Sequence, residues 1–169
     1  MFRLLFAAVF LAVLPSVPAL ATDRIIVTSV EVEATPADIW ELWTTEEGLT
    51  FFAPESSIDL RTGGIYEAYF ALQAPEGQRG SEGTHILGYQ EERMLTVTWA
   101  LPPYMPEVRP HLTVLTIEII PTSDAMTQVT ITHIGWGEGG EWDEAYAYFQ
   151  QNWPMVLTAM SEALTATAE

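Results

Sequence analysis

One stretch near the C-terminus limits what this chain can fold into. A β-branched run from Gln128 to Trp136, containing His133, is followed by a Gly/Glu turn and then by a helix-period segment from Glu141 to Leu164. In that segment Trp142, Tyr146, Phe149, Trp153, Leu157, Met160 and Leu164 recur at steps of three or four, which places them on one helical face. A face carrying so many large apolar groups must lie against something wide. Pro154 inside the segment removes one amide and presses its ring on the carbonyl of Gln150, so a bend is expected there.

The rest of the chain supplies mainly strands. Arg24 to Glu33 is β-branched and reads as a first strand. Thr35-Pro36-Ala37-Asp38 is a helix start: Thr35 caps, Pro36 takes the first helical position and Asp38 answers the cap. Ile39, Trp40, Leu42 and Trp43 carry that helix, and Glu46 to Phe52 forms a second helical turn ended by Pro54. From Ser57 the period changes to two. Strands are expected over Ser57–Leu60, Ile65–Leu72, Thr84–Glu91, Met94–Leu101, Leu112–Ile120 and Gln128–Trp136. Ala74–Gly83 and the proline-rich Pro102–Pro110 are expected loops. The order is strand, two short helices, six strands and a long helix. This is an α+β domain in which a curved antiparallel sheet grips the C-terminal helix (β-α-α-β6-α).

Residues 1–21 have a basic start at Arg3, an apolar run from Leu4 to Leu14, and Ala19-Leu20-Ala21 as a small-x-small cleavage pattern. They are expected to be a secretory signal peptide, with residues 22–169 as one domain in the periplasm or outside the cell. The apolar run is shorter than the roughly 20 residues of a membrane span, so no stable membrane insertion is expected after cleavage; an uncleaved anchor is the alternative. Cysteine is absent, which excludes disulfides, thiolate chemistry and cysteine-bound metals. The chain has no lysine and carries a formal charge of −17. Such a surface repels phosphate backbones and excludes nucleic acid as a partner; scattered acids of this kind serve solubility.

Val32-Glu33-Ala34-Thr35-Pro36 leading into Trp40 and Trp43, the segment Ile58-Asp59-Leu60-Arg61-Thr62-Gly63-Gly64, and Val129 to Gly135 followed by the aromatic helix together resemble the START-like (SRPBCC) helix-grip superfamily. Within it they look like the group named for homology to an activator of a heat-shock ATPase. The resemblance covers almost all of residues 22–169. It implies a deep apolar pocket between sheet and helix, in a superfamily that binds or transforms hydrophobic molecules. It identifies a fold and carries no catalytic signature. The expected export signal would set this chain apart from its intracellular relatives.

His133 is in phase with Val129 and Ile131, so it is expected to point into the grip, where an imidazole can hydrogen-bond a ligand, act as acid or base, or simply be satisfied within the core. Tyr66, Phe70 and Trp99 on the strands, and Tyr146, Phe149 and Trp153 on the helix, complete the candidate ligand-binding set; each is equally suited to plain core. His85, His111 and His133 lie on separate strands without a metal-ligand spacing, and Glu138, Glu141, Asp143 and Glu144 lack the spacing of a calcium loop and suit the positive end of the helix. Arg61 is placed to pair with Asp59 or Glu67. Nucleotide-binding, phosphate-binding, zinc-protease and serine-elbow motifs are absent, and no cofactor is expected. The first expectation is an exported protein holding a small hydrophobic molecule without chemistry. The alternatives are a cyclase, hydrolase or isomerase using His133 beside a carboxylate or tyrosine, and an interaction domain whose pocket is filled by its own side chains.

Overall fold

The computed structural model describes residues 24–167, so the expected signal segment lies outside the described residues. Strand β1 (Ile26–Val32) leads into helix α1 (Pro36–Thr44) and a 3-10 turn (Gly48–Phe51). Seven further strands follow: β2 (Glu55–Ile58), β3 (Tyr66–Tyr69), β4 (Gly80–Ser81), β5 (Ile86–Gln90), β6 (Met94–Ala100), β7 (Leu112–Pro121) and β8 (Thr127–Ile134). Helix α2 (Glu141–Thr167) closes the chain and runs on through Pro154.

All pairings are antiparallel. The order β1-β8-β7-β6-β5 forms one sheet, and β2-β3-β4 a second. They meet where Ile65 bridges His85 and where the Tyr66 amide donates to the Thr84 carbonyl at 3.0 Å. The helix-grip class holds, with one more strand than the sequence reading expects. Gly80 and Ser81, placed in a loop by their flanking glycines, pair with Tyr69 and Ala68. A two-residue strand leaves no alternation to detect.

Local chemistry explains the punctuation. Thr35 Oγ1 accepts the Asp38 amide at 3.2 Å while the Thr35 amide donates to Asp38 Oδ2 at 3.1 Å, a complete capping box. Gly64 is required by close approach, since a Cβ there would stand 2.0 Å from the Asp59 carbonyl oxygen. Glycine at 137 is required by Trp142, whose ring lies 2.6 Å from where a Cβ would be.

Period-two strands direct one set of side chains onto α2. Leu95, Val97 and Trp99 of β6, Leu115, Ile117 and Ile119 of β7, and Val129, Ile131 and His133 of β8 are all buried. They meet Ala145, Phe149, Trp153, Leu157 and Met160 of α2 in a single core. Each such apolar side chain contributes about 1.5–3 kcal/mol by leaving water. Trp43 ties α1 into it: its indole N–H donates to Met160 Sδ at 3.3 Å, and its carbonyl accepts the Tyr66 hydroxyl at 2.9 Å. The middle of the grip is therefore filled, and open space lies at two places: a groove of about 520 Å³ with four acidic residues in its lining, where α1 and the 3-10 turn meet the end of α2, and a second space lined mainly by aromatic rings.

Candidate functional site: an aromatic cleft at one end of the grip

That space is a half-open cleft of about 400 Å³. Trp99 and Ala100 of β6 form its sheet wall, and Tyr148, Phe149, Asn152, Trp153 and Val156 of α2 its helix wall. Phe52 and Phe70 close one side; Gln78 to Ser81 and Leu101 to Tyr104 form the rim. It lies between the sheet, α2 and the turns after β3 and β6, where the Ala74–Gly83 and Pro102–Pro110 segments meet.

Seven of the lining side chains carry rings, and they follow one another without a break. Phe70 is 5.8 Å from Phe52, Phe52 6.5 Å from Trp99, and Trp99 5.4 Å from Trp153, centroid to centroid. Phe149 lies 5.5 Å from Trp153 and 5.1 Å from Tyr148, and Tyr148 stands 6.4 Å from Tyr104. Each spacing is in the range where ring quadrupoles attract.

Four of the seven residues proposed from the sequence thus reach the cleft: Phe70, Trp99, Phe149 and Trp153. His133, Tyr66 and Tyr146 do not line it. Tyr66 is fully buried with its hydroxyl committed to the Trp43 carbonyl, and burial pushes its phenol far above the ordinary range. Tyr146 lies near β1, its hydroxyl donating to the Ile25 carbonyl at 3.1 Å and its ring 4.4 Å from the Arg24 guanidinium.

His133 points inward as its phase requires, but it is 0% exposed and both ring nitrogens are occupied. The Trp153 indole N–H donates to Nδ1 at 2.9 Å. Indole N–H is a donor only, so Nδ1 is unprotonated and the proton sits on Nε2. Nε2–H then donates to Thr113 Oγ1 at 2.7 Å, and the Thr113 hydroxyl donates to the Trp99 carbonyl at 3.0 Å. This relay spans β8, β7, β6 and α2 and uses every donor once. Burial pushes the imidazole down to about 3, so it is neutral across the physiological range. It holds the Trp153 ring directly and the Trp99 backbone carbonyl through Thr113, and neither ring nitrogen is left for acid–base work on a ligand.

The other histidines are exposed: His85 faces outward on the sheet and His111 rests its ring 5.3 Å from Trp142. The acids at the start of α2 serve the backbone. Glu141 Oε2 accepts the Glu107 and Val108 amides at 2.7 and 3.2 Å, and Asp143 Oδ1 accepts the Gly139 amide and an Arg24 N–H. Arg61 pairs with Asp59 at 2.7 Å.

The rim is held by charge. Glu82 Oε1 accepts from the Gly77 amide and Arg79 Nε, and Oε2 accepts the Arg79 amide. Partial burial works against the Glu82 carboxylate, but these donors outweigh it and hold the group below its usual range. Arg109 forks across the two rim segments, donating to the Leu101 carbonyl and, at 2.8 Å, to the Gly77 carbonyl. Phe52, Tyr104 and Tyr148 are cleft residues that the sequence reading missed. Tyr148 precedes Phe149 and falls beside the apolar stripe, and Tyr104 sits within an unpatterned proline loop.

A curved antiparallel sheet wrapped on one long C-terminal helix, with an aromatic cleft opening between them, defines a START-like helix-grip domain. The sequence profile of the Activator of Hsp90 ATPase homolog 1-like proteins matches residues 33–165, and the chain belongs to that family. No curated protein matches it in sequence. Among solved structures it is similar to protein MLL2253 from Mesorhizobium loti (17% identity, TM-score 0.69, covering 85% of this chain and 98% of that one). It is also similar to an HSP90 activator from Plasmodium falciparum (14%, TM-score 0.65, 84% and 96%) and to DynU16, a protein of the dynemicin biosynthetic locus (15%, TM-score 0.63, 85% and 48%). At these identities the likeness establishes the fold.

Proposed function

We propose that this protein is exported and holds a small hydrophobic molecule in the aromatic cleft, without transforming it. The observation that carries the reading is the cleft itself: about 400 Å³ of open space walled by Phe52, Phe70, Trp99, Phe149 and Trp153, in contrast to the groove beside α1, which Glu33, Asp38, Glu41 and Glu47 line. Apolar concavities of this size suit small ligands. Binding without chemistry is supported by His133, the histidine inside the grip, whose two ring nitrogens are both engaged in hydrogen bonds. Export rests on the signal-like composition of residues 1–21.

Titration with Nile red, a neutral apolar dye whose emission rises in dry surroundings, tests the binding. Saturation at one site per chain is expected, accompanied by a change in tryptophan emission because Trp99 and Trp153 line the cleft. Absence of saturable binding by this and other apolar probes would overturn the reading. Export is tested separately by N-terminal sequencing of protein from a periplasmic extract, where a start at Thr22 is expected and an intact Met1 in the cytoplasm counts against it.

A further inference from the structure

The wall chemistry narrows the ligand class, and this step rests on the cleft-binding reading above. We infer that the cleft selects an uncharged, flat, fused-ring molecule over a flexible acyl chain and over any charged ligand. The continuous belt of seven rings is the first reason. An inserted ring system gains edge-to-face and offset-stacked contacts along that belt in addition to leaving water, whereas an aliphatic chain gains only the latter.

The second reason is the absence of an available charge. Among the described residues lining the cleft, Arg79 is the sole charged side chain. Its guanidinium is paired: it meets Glu82 at 2.7 Å and lies 4.5 Å from the ring of Tyr69. Two polar side chains of the wall are engaged as well. Ser81 Oγ accepts the Ala100 amide at 3.1 Å, and the Asn152 amide donates to the Tyr148 carbonyl at 2.7 Å. An anionic headgroup would find no free cation and would enter against the field of a chain with net charge −17. A cationic group would find no carboxylate on the wall and would pass Arg79 at the rim.

Four probes of similar bulk separate the possibilities: anthracene methanol, anthracene carboxylate, an anthracene bearing a methylammonium group, and dodecanol. Calorimetry reads all four, and tryptophan quenching reads the aryl probes. The neutral aryl alcohol is expected to bind roughly tenfold or more tightly than each of the others, the scale of one or two added ring contacts. Phe70 and Tyr104 are 46% and 65% exposed, so Phe70→Ala and Tyr104→Ala spare the core. Each is expected to weaken the neutral aryl probe several-fold and dodecanol by a clearly smaller factor, because the alcohol loses buried apolar area but no ring contact.

Equal or tighter binding of dodecanol, or of either charged anthracene, overturns the selectivity and leaves the cleft as a ligand site. Failure of all four to saturate overturns both.

Discussion

At the scale of single residues, His133 shows how a pattern can be read in the right direction and its purpose still be hidden. Alternation with Val129 and Ile131 is enough to turn it inward. What it meets there is decided by residues distant in sequence: Thr113 on β7 and Trp153 on α2. No local signal announces a relay assembled from four elements. The arrangement has a pH signature. With the folded-state group pushed down to about 3 and an unfolded histidine titrating near 6.5, the unfolded chain takes up a proton that the native chain refuses. Stability from this group is therefore complete above about pH 6.5, and it falls by about 1.4 kcal/mol per pH unit as the pH drops toward 3. Urea unfolding of the wild type between pH 7.5 and 5 is expected to show this slope, and His133→Gln, which cannot titrate, is expected to lack it. Equal slopes in the two proteins would refute the assignment. The same substitution disturbs at least two buried hydrogen bonds, so a loss of about 2–4 kcal/mol is expected at pH 7.5.

At the scale of elements, the long helix, the capped first helix and the inward phase of β6, β7 and β8 were all legible, because each depends on periodicity or on a cap formed within a few residues. Strand ends were not. Phe70 shares the phase of Tyr66 and Ala68, which are fully buried, yet it is half exposed because β3 stops at Tyr69. That stop is dictated by β4, which offers only Gly80 and Ser81 as partners. The end of β3 therefore turns Phe70 from core into cleft wall, whereas Trp99, Phe149 and Trp153 reach the cleft by their inward phase. The cleft rim is likewise a tertiary product. Arg109 joins the turns after β3 and β6 through two carbonyls, Leu101 and Gly77. A planar fork serves two acceptors that a single ammonium serves less well. Arg109→Lys is expected to raise amide exchange at Gln78 and Met105 roughly tenfold, with the amides of β7 unaffected. Unchanged exchange at the rim would show that the fork does not hold it.

At the scale of the whole molecule, charge is the dominant unbalanced quantity. The chain carries 23 acidic side chains against six basic ones. Among the described residues three ion pairs form: Arg24–Asp143, Arg61–Asp59 and Arg79–Glu82. Each has at least one partner with substantial solvent exposure, and exposed pairs contribute about 0–1 kcal/mol. Repulsion among the remaining carboxylates acts over the whole surface and favours the expanded chain. Screening length falls from about 30 Å at 0.01 M salt to about 3 Å at 1 M, so added salt removes long-range repulsion before it removes contact pairs. The two effects oppose each other, and the larger number of unpaired acids decides the sign. The melting temperature is expected to rise by roughly 3–6 °C between 0.01 and 0.5 M sodium chloride, equivalent to about 1–2 kcal/mol for a domain of this size. Potassium and tetramethylammonium chloride should give the same gain, since screening depends on ionic strength and not on a bound cation. A flat or falling melting temperature would mean that the three pairs outweigh the field. A gain confined to one cation would mean that specific binding, and not screening, stabilises the fold.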